Sequence, residues 1–384
     1  MKKIVLMLLL GFGVGLGNDD IQELIKQCEA NDGRACYDVG KKYERESKDK
    51  RFAGYSTQWV FVETPQSIEL YKKAVIFYQK GCDLKNAASC YKLSGIYNPE
   101  YDKEYTEVVG KNLTKADEYW NLSVEYDEEN QVFIKGCAEN NAEACSDLAR
   151  AYNYGGEWGS VSGQKSKAAE FYEKACNLKH SRSCFDLGRF YEKDKNMEKA
   201  YEFYTLGVEY RDFDTTKKCQ ANDGEACYTL GKSYSSNPCD GDECKKWSLS
   251  KSDELYQKAC DLRYSKACMD LGDKYEKGSG VEKDIAKAVE FFEKACKMDE
   301  SQGCVNAGIL YQKGEGIKQN VSKATDLYEK ACELEHSAGC NNLAIIYEDK
   351  GKTSKAKEFY NQACKMGSGK ACVNLRNLRI KEDF

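Results

Sequence analysis

Cysteine is the residue type whose number and spacing point to chemistry in this chain of 384 residues. The chain has 20 cysteines, which could form disulfides, hold a metal ion or act as reactive thiols. Eighteen of them form pairs whose members stand eight positions apart. The pairs are Cys28 with Cys36, Cys82 with Cys90, Cys137 with Cys145, Cys176 with Cys184, Cys219 with Cys227, Cys260 with Cys268, Cys296 with Cys304, Cys332 with Cys340, and Cys364 with Cys372.

The same spacing argues against metal binding and against several function classes. Zinc sites use closely spaced C-x2-C pairs or histidines, whereas this chain has only His180 and His336 and no C-x2-C pair. We therefore predict no metal and no cofactor. The 58 Lys and Arg residues nearly balance the 63 Asp and Glu residues, which disfavours a nucleic-acid partner.

Disulfides are the remaining interpretation of the paired cysteines, and helix geometry predicts where they lie. Eight residues of a continuous helix rise about 12 Å, beyond the roughly 7 Å Cα separation that a disulfide can span. The residues between paired cysteines are turn formers, such as those of 31–33 and 367–369. The chain must therefore reverse there, and each disulfide joins the end of one helix to the start of the next.

Cys239 and Cys244 stand outside the eight-residue rule. We expect a local loop disulfide between them. An exposed redox pair is the alternative, although the acidic residues Asp240, Asp242 and Glu243 would oppose thiolate formation.

The elements that position the cysteines repeat every 36 residues from Cys268 to Cys304 to Cys340. Apolar residues fall at i, i+3, i+4 and i+7 after each of these cysteines, which is the stripe of an amphipathic helix, and a second stripe follows a glycine-containing break. Each unit is thus an antiparallel pair, helix A and then helix B. One pair cannot bury its stripes alone, so neighbouring pairs must stack. The predicted fold class is an all-α, disulfide-bridged α/α solenoid.

The domain plan follows from the repeat. We predict a signal peptide at 1–17, a capping helix at 18–35, eight repeats over 36–370, and a capping helix and tail at 371–384. Insertions interrupt the repeats at 44–64, 98–112, 209–216 and 235–250. The aromatic residues Phe52, Tyr55, Trp59 and Phe61 of the first insertion either contact a partner or fold back as a local plug.

The start of the chain has the features of an export signal. Lys2 and Lys3 precede an apolar stretch over 4–16, and Gly15-Leu16-Gly17 fits a cleavage site. The stretch is short for a membrane span. We expect cleavage, no integral membrane segment afterwards, and a periplasmic or extracellular location, where disulfides are stable.

A candidate binding face lies two positions after each helix A cysteine, where the residue is polar in every unit. Three consecutive units have Asn306, Asn342 and Asn374 there. An amide can pair with both the donor and the acceptor of a passing peptide backbone. We hypothesise that these asparagines form a peptide clamp; a merely solvated helix face is the alternative.

Catalytic motifs are weak by comparison. Ser-x-x-Lys pairs occur in the chain, without the Ser-Asp-Asn or Lys-Thr-Gly motif that a serine β-lactamase needs. The pairs include Ser47 with Lys50, Ser89 with Lys92, Ser162 with Lys165, and Ser248 with Lys251. A Ser-His-acid triad would have to use His180 or His336, and both stand four positions before a helix A cysteine. No catalytic residue can be named.

The repeat motifs, C-x7-C, Leu-Gly-x2-Tyr, Gly-x-Gly-[Val/Ile], Lys-Ala and Phe/Tyr-x-Lys-Ala-Cys, resemble Sel1-like repeats. With one cysteine pair per unit and the export signal, the chain resembles the Helicobacter cysteine-rich proteins. The resemblance implies a right-handed superhelix related to tetratricopeptide arrays. It also implies secretion, recognition by a host, and penicillin binding with slow β-lactam hydrolysis.

Two functions therefore stay open at this point, besides a purely structural role as an envelope spacer. The first is a secreted scaffold, expected to be a monomer, that binds a peptide, a protein (a host protein included) or a cell-wall component. The second is a slow β-lactamase, which rests on the family resemblance alone.

Overall fold

The computed structural model describes residues 18–53, 56–61, 64–98, 108–153, 162–236 and 240–382. The predicted signal peptide at 1–17 lies outside these ranges. The chain divides between Phe190 and Tyr191 into two compact units, here called unit 1 and unit 2. Within the described residues, no helix is both long enough and apolar enough to span a membrane.

In the part that the structure describes, unit 1 is helical except for one β-hairpin. Its elements are α1 (Asn18–Glu29), α2 (Gly33–Glu46), β1 (Lys48–Ala53), β2 (Ser56–Phe61), α3 (Pro65–Asp83), α4 (Ala87–Tyr97), α5 (Leu113–Tyr126), α6 (Glu128–Ala138), α7 (Ala142–Asn153) and α8 (Ser162–Asn177). The next helix, α9 (Ser181–Lys193), contains the division between the units.

Unit 2 continues the helical succession. Its elements are α10 (Met197–Arg211), α11 (Phe213–Gln220), α12 (Gly224–Ser235), α13 (Asp242–Asp261), α14 (Ser265–Lys277), α15 (Ile285–Lys297), α16 (Ser301–Lys313), α17 (Val321–Glu333), α18 (Ser337–Asp349), α19 (Thr353–Lys365) and α20 (Gly369–Glu382). Within this unit each helix from α12 onward packs against the next one in the chain, as a stack of helix pairs requires.

The predicted fold class is confirmed, and the hairpin is a local addition to it. β1 and β2 pair antiparallel, from Lys48 opposite Phe61 to Ala53 opposite Ser56, inside the insertion expected at 44–64. The insertion expected at 98–112 lies mostly outside the described residues. Those expected at 209–216 and 235–250 fall at the passage from α10 to α11 and at the start of α13.

Each predicted C-x7-C pair is joined as a disulfide between the end of one helix and the start of the next. The Cα atoms of the paired cysteines are 4.5–4.9 Å apart. The bonds join Cys28 to Cys36, Cys82 to Cys90, Cys137 to Cys145, Cys176 to Cys184, Cys219 to Cys227, Cys260 to Cys268, Cys296 to Cys304, Cys332 to Cys340, and Cys364 to Cys372.

The pair that stands outside the eight-residue rule is described only in part. Cys244 is disulfide-bonded, and Cys239, its predicted partner, lies outside the described residues. No cysteine of the described ranges is free.

A left-handed residue makes the reversal inside each of the nine C-x7-C pairs. The third residue after the first cysteine has a positive φ in every case. These residues are Asn31, Lys85, Asn140, Lys179, Asn222, Arg263, Asp299, Glu335 and Gly367. Asparagine and glycine tolerate this conformation, whereas it is strained for lysine, arginine and glutamate. The turn geometry is therefore imposed by the packed helices and their disulfide as much as by the turn residue itself.

A buried tyrosine on helix B fixes its distance from helix A. Its hydroxyl donates to the residue that follows the helix A tyrosine, as between Tyr360 and Glu348 at 2.8 Å. The other such bonds are Tyr78 to Glu44 at 2.6 Å, Tyr204 to Glu192 at 2.6 Å and Tyr328 to Gln312 at 2.9 Å. Phe292 holds the corresponding place beside Glu276, so that repeat lacks the hydroxyl.

Two helix B positions depart from this scheme. In a regular repeat a cysteine follows eight residues after the alanine of Lys-Ala, but α5 has Val124 there and α10 has Val208. Both valines are buried. A short extra helix, α6 or α11, then carries the cysteine. The Asp127 side chain caps α6 by accepting from the backbone N–H groups of Glu129 and Asn130, so α6 is a separate helix with its own N-cap.

Candidate functional site

The asparagines singled out by the sequence lie on three helices A of unit 2, namely α16, α18 and α20. All three side chains are half-buried. Helices α16 and α18 are in contact. The helix order thus places one half-exposed amide on each successive repeat, and we call Asn306, Asn342 and Asn374 the amide face.

A fourth asparagine links two members of the amide face. Asn374 donates from Nδ2 to Oδ1 of Asn341 at 3.2 Å, and Asn341 donates to Oδ1 of Asn342 at 3.4 Å. Asn341 is only 7% exposed. Because a buried amide must keep its partners, this chain of hydrogen bonds fixes the orientation of both neighbours. The sequence pattern did not identify Asn341, since it falls one position off the repeated site.

The amide face has further anchors within unit 2. Gln302 donates to Oδ1 of Asn306 at 2.7 Å. Burial raises the pKa of Tyr328 to about 12, an effect that a hydrogen bond with Asn342 opposes. Each primary amide has two donor hydrogens and an acceptor oxygen with two lone pairs, so one hydrogen bond to a neighbour leaves capacity for a ligand.

The matching positions in two repeats of unit 1 carry charge and are paired. Asp38 is 3.5 Å from Arg34, and Lys92 Nζ is 3.3 Å from Glu44 Oε2. Such ion pairs occupy the groups that could meet a neutral peptide backbone, whereas the amide face offers uncharged donors and acceptors.

Ser89 and Lys92, the Ser-x-x-Lys pair at the start of a helix, do not act on each other. The Ser89 hydroxyl donates to Oδ1 of Asn86 at 2.9 Å, and Lys92 is held by Glu44. Ser89 is fully buried. It therefore supports the N-cap of α4 and is closed to a substrate.

The Ser-x-x-Lys pairs that begin at Ser47, Ser162 and Ser248 are also engaged elsewhere where the structure describes them. Ser47 donates to the backbone carbonyl of Glu44 at 2.7 Å, and Ser248 donates to that of Tyr234. Lys251 pairs with Glu254 at 2.8 Å. The side chains of Lys50, Ser162 and Lys165 lie outside the described set.

His180 brings together a serine and an acid, an arrangement that the sequence did not indicate. Its Nδ1 lies 2.8 Å from the Ser183 hydroxyl, and its Nε2 lies 3.0 Å from Glu143 Oε2. Ser183 is 0% exposed, so no substrate carbonyl can reach it. Because His180 directly precedes α9, the group acts as a helix start tied to α7. His336 likewise contacts Gln302, at 3.1 Å.

Metal ligands are not gathered in the described part of the chain. No group of three or more His, Cys, Asp or Glu side chains there could hold a metal ion. The described residues thus provide an anchored amide face on a stack of packed helices. His180, His336 and the described serines of the pairs above make hydrogen bonds within the fold.

Comparisons with known proteins agree with the repeat analysis. The Sel1 repeat model matches residues 65–86, 142–180, 224–264, 265–300 and 301–336. A tetratricopeptide repeat model matches residues 181–213 and 338–366. Apart from 65–86, which holds α3 alone, each matched segment covers a helix A and the helix B that follows it. Disulfides such as Cys260–Cys268 and Cys296–Cys304 join one segment to the next.

Relatives with solved structures or curated names share parts of the chain. A cytochrome c oxidase assembly factor 7 homolog from Drosophila melanogaster is 27% identical over 246 residues, which cover 56% of this chain and 82% of the relative. Helicobacter pylori cysteine rich protein B is 32% identical, with 34% of this chain and 94% of that chain covered and a TM-score of 0.25. A protective antigen of uropathogenic Escherichia coli with an SLR fold is 17% identical, with 94% and 68% covered and a TM-score of 0.36.

Proposed function

The chain belongs to the family of cysteine-rich Sel1 repeat proteins, and on that premise we propose that it binds an extended peptide segment of a protein partner along the amide face. Helical repeat scaffolds present one residue per repeat at regular intervals, which suits a ligand that is itself regular. The observation that carries this proposal is the set of half-buried asparagines on α16, α18 and α20, oriented in part by Asn341.

The spacing of the helices supports an extended ligand. Packed helices lie about 8–10 Å apart, and an extended peptide advances about 3.3 Å per residue. One asparagine would therefore meet the peptide backbone about every third residue. Backbone recognition of this kind places few demands on the ligand's side chains, so sequence preference must come from neighbouring residues.

Export is part of the same proposal. It is supported by the charged and apolar start at 1–17 and by the disulfides, which persist in oxidising compartments. A periplasmic or extracellular partner follows, whether a protein of the same cell or of a host.

The decisive experiment starts from a peptide selected by display against the oxidised protein. Replacing Asn306, Asn342 and Asn374 together by alanine should weaken its binding by about tenfold or more, since several backbone hydrogen bonds are lost. Asn361→Ala on α19, a helix B residue, is the matched control and should leave the affinity unchanged. Equal affinities of the triple variant and the control for the peptide would refute the proposal that the amide face binds it.

A nitrocefin assay on the same oxidised protein distinguishes a binding scaffold from a β-lactamase. No observation on the described residues favours β-lactam hydrolysis, so we expect no saturable nitrocefin turnover by the oxidised protein. Turnover that a single serine substitution abolishes would show instead that the protein is an enzyme.

A further inference from the structure

A cavity of about 780 Å³ opens in unit 1, remote in sequence from the amide face. It lies at a repeat whose helix B is broken. In a regular repeat such as that of α15, helix B runs unbroken to its cysteine, but α5 ends at Tyr126 and α6 begins at Glu128. The cavity is lined by residues of these two helices and of the following pair, α7 and α8.

The inner part of the cavity is apolar and aromatic. Leu148 and Tyr152 of α7 are 1% and 3% exposed. The rings of Tyr152 and Phe171 stack with centroids 5.5 Å apart, and Ile134 of α6 also lines the cavity. Cavities of this size lined by such residues commonly take an apolar group of several carbons.

The charged residues that line the cavity are mostly positive. It contains three lysines, Lys85, Lys167 and Lys174, and one glutamate, Glu125. Lys167 lies 3.2 Å from Glu125, and Lys174 donates to the backbone carbonyl of Cys137 at 2.7 Å. A carbonyl contact leaves the charge of Lys174 uncompensated, and Lys85 has no ion pair with any acid that the structure describes.

Tyr152 in the lining adds no negative charge to the cavity. Burial, together with the charges of Glu125 and Glu170, raises the pKa of Tyr152 to about 12, so its hydroxyl stays uncharged at neutral pH. Gln131 and Ala138 are exposed at the mouth, so a chain seated in the cavity has a way out to solvent.

We propose that this cavity binds the C-terminal carboxylate of a peptide whose last residue is aromatic or large and apolar. The terminal side chain packs on Tyr152 and Phe171, and the carboxylate meets Lys85 and Lys174. Charge-assisted hydrogen bonds to lysine give such a site its preference for a free carboxylate over an amide. This second site lies in the other unit and does not depend on the amide face.

The test uses the full oxidised protein and a fluorescein-labelled peptide that ends in a free phenylalanine carboxylate. Fluorescence polarisation should show saturable binding that is at least about tenfold tighter than that of the same peptide as a C-terminal amide. Lys85→Gln should weaken binding of the carboxylate by about tenfold and leave the weak binding of the amide unchanged. Ala138→Phe, which fills the mouth, should abolish binding.

Lys287→Gln is the matched control. Lys287 lies over the ring of Tyr275 at 5.0 Å as Lys167 lies over Tyr152 at 5.1 Å, but it is outside the cavity. Melting curves check that every variant folds. Equal affinity for carboxylate and amide, or full binding by Ala138→Phe, would overturn the proposal. So would loss of binding in the triple asparagine variant, which would assign the peptide to the amide face instead.

Discussion

The regular repeats of unit 2 and the interrupted repeat of unit 1 differ in how helix B reaches its disulfide. Helices α15, α17 and α19 each carry the cysteine eight residues after the alanine of Lys-Ala. Helix α5 has Val124 at that position, and α6 supplies Cys137 instead. The disulfide to the next helix A keeps the same eight-residue spacing in both cases. A helix can therefore be inserted within a repeat while the junction between repeats stays constant.

The lysines of helix B contact different groups in the regular and the interrupted repeats. Lys330 of α17 reaches Asp299, just past the preceding helix B, at 3.0 Å. In the interrupted repeat Lys167 reaches Glu125 on α5, whereas Lys174 reaches Cys137 on α6. Two lysines of α8 thus hold both halves of the broken helix. The junctions are therefore constant while the stretch between them varies, and the cavity lies in the repeat that varies.

Removing a junction disulfide should have the largest effect. Replacing Cys332 and Cys340 by serine removes an eight-residue cross-link, which contributes about 2.5 kcal/mol in the chain-entropy model. The same change at Cys137 and Cys145 should cost a similar amount globally and also release α6 locally. Urea unfolding measures the first effect, and amide exchange of α6 the second. Unaltered exchange in α6 would show that packing, not the disulfide, holds the inserted helix.

Removing one tyrosine hydroxyl should have the next largest effect. Tyr360→Phe leaves the Glu348 carboxylate without the hydroxyl that donates to it at 2.8 Å, and bonds to a charged group contribute about 1.5–3 kcal/mol. Phe292→Tyr is the reverse change, because it offers a hydroxyl to Glu276. Denaturant midpoints should move in opposite directions for the two variants. Movement in the same direction would mean that ring packing outweighs the hydrogen bond.

Acid should weaken the first repeat of unit 1 through Glu44. Burial opposes ionisation there, but Lys92, the Tyr78 hydroxyl and Lys48 outweigh it and hold the pKa of Glu44 below its usual 4.5. A carboxylate with a lowered pKa contributes stability above the unfolded-state pKa and loses it as the pH falls through the folded-state value. One such group changes the free energy of unfolding by at most about 1.4 kcal/mol per pH unit. Glu44→Gln should flatten the stability profile below pH 4.5; an unchanged slope would contradict this assignment.

Relieving a left-handed turn should give the smallest effect. Glu335 has φ of 58° inside a regular junction, where glycine is free of strain. Glu335→Gly should therefore stabilise the fold by at most about 1 kcal/mol, because the gain is partly offset by the greater freedom of unfolded glycine. Gly367→Ala, at φ of 90°, is the opposite change and should destabilise. Calorimetric melting temperatures distinguish them, and a loss of stability in Glu335→Gly would show that the side chain's contacts matter more than its backbone.

Much of the fold was predictable because cysteine spacing and a 36-residue period are global signals. The extra helices were not, since Val124 and Val208 look like ordinary core residues of an amphipathic stripe. The β-hairpin falls in an insertion where the period is lost. Lysine and glutamate at left-handed turns give no local signal, because Lys85 and Glu335 owe their conformation to the helices around them.

The candidate sites were predictable only in part. A repeat pattern identifies the amide face because each asparagine occupies one recurring position. It misses Asn341, whose importance comes from tertiary hydrogen bonds. It also misses the cavity, which depends on where a helix stops rather than on any residue type.

The placement of the disulfides decides how a clipped chain behaves. Each one bridges the short turn between helix B and the next helix A, so a protease that cuts inside such a turn severs the backbone without releasing either side. A cut between helix A and helix B of one repeat, for instance within 278–284, meets no such bridge. Fragments of the first kind come apart on a denaturing gel only after reduction, whereas those of the second kind separate without it.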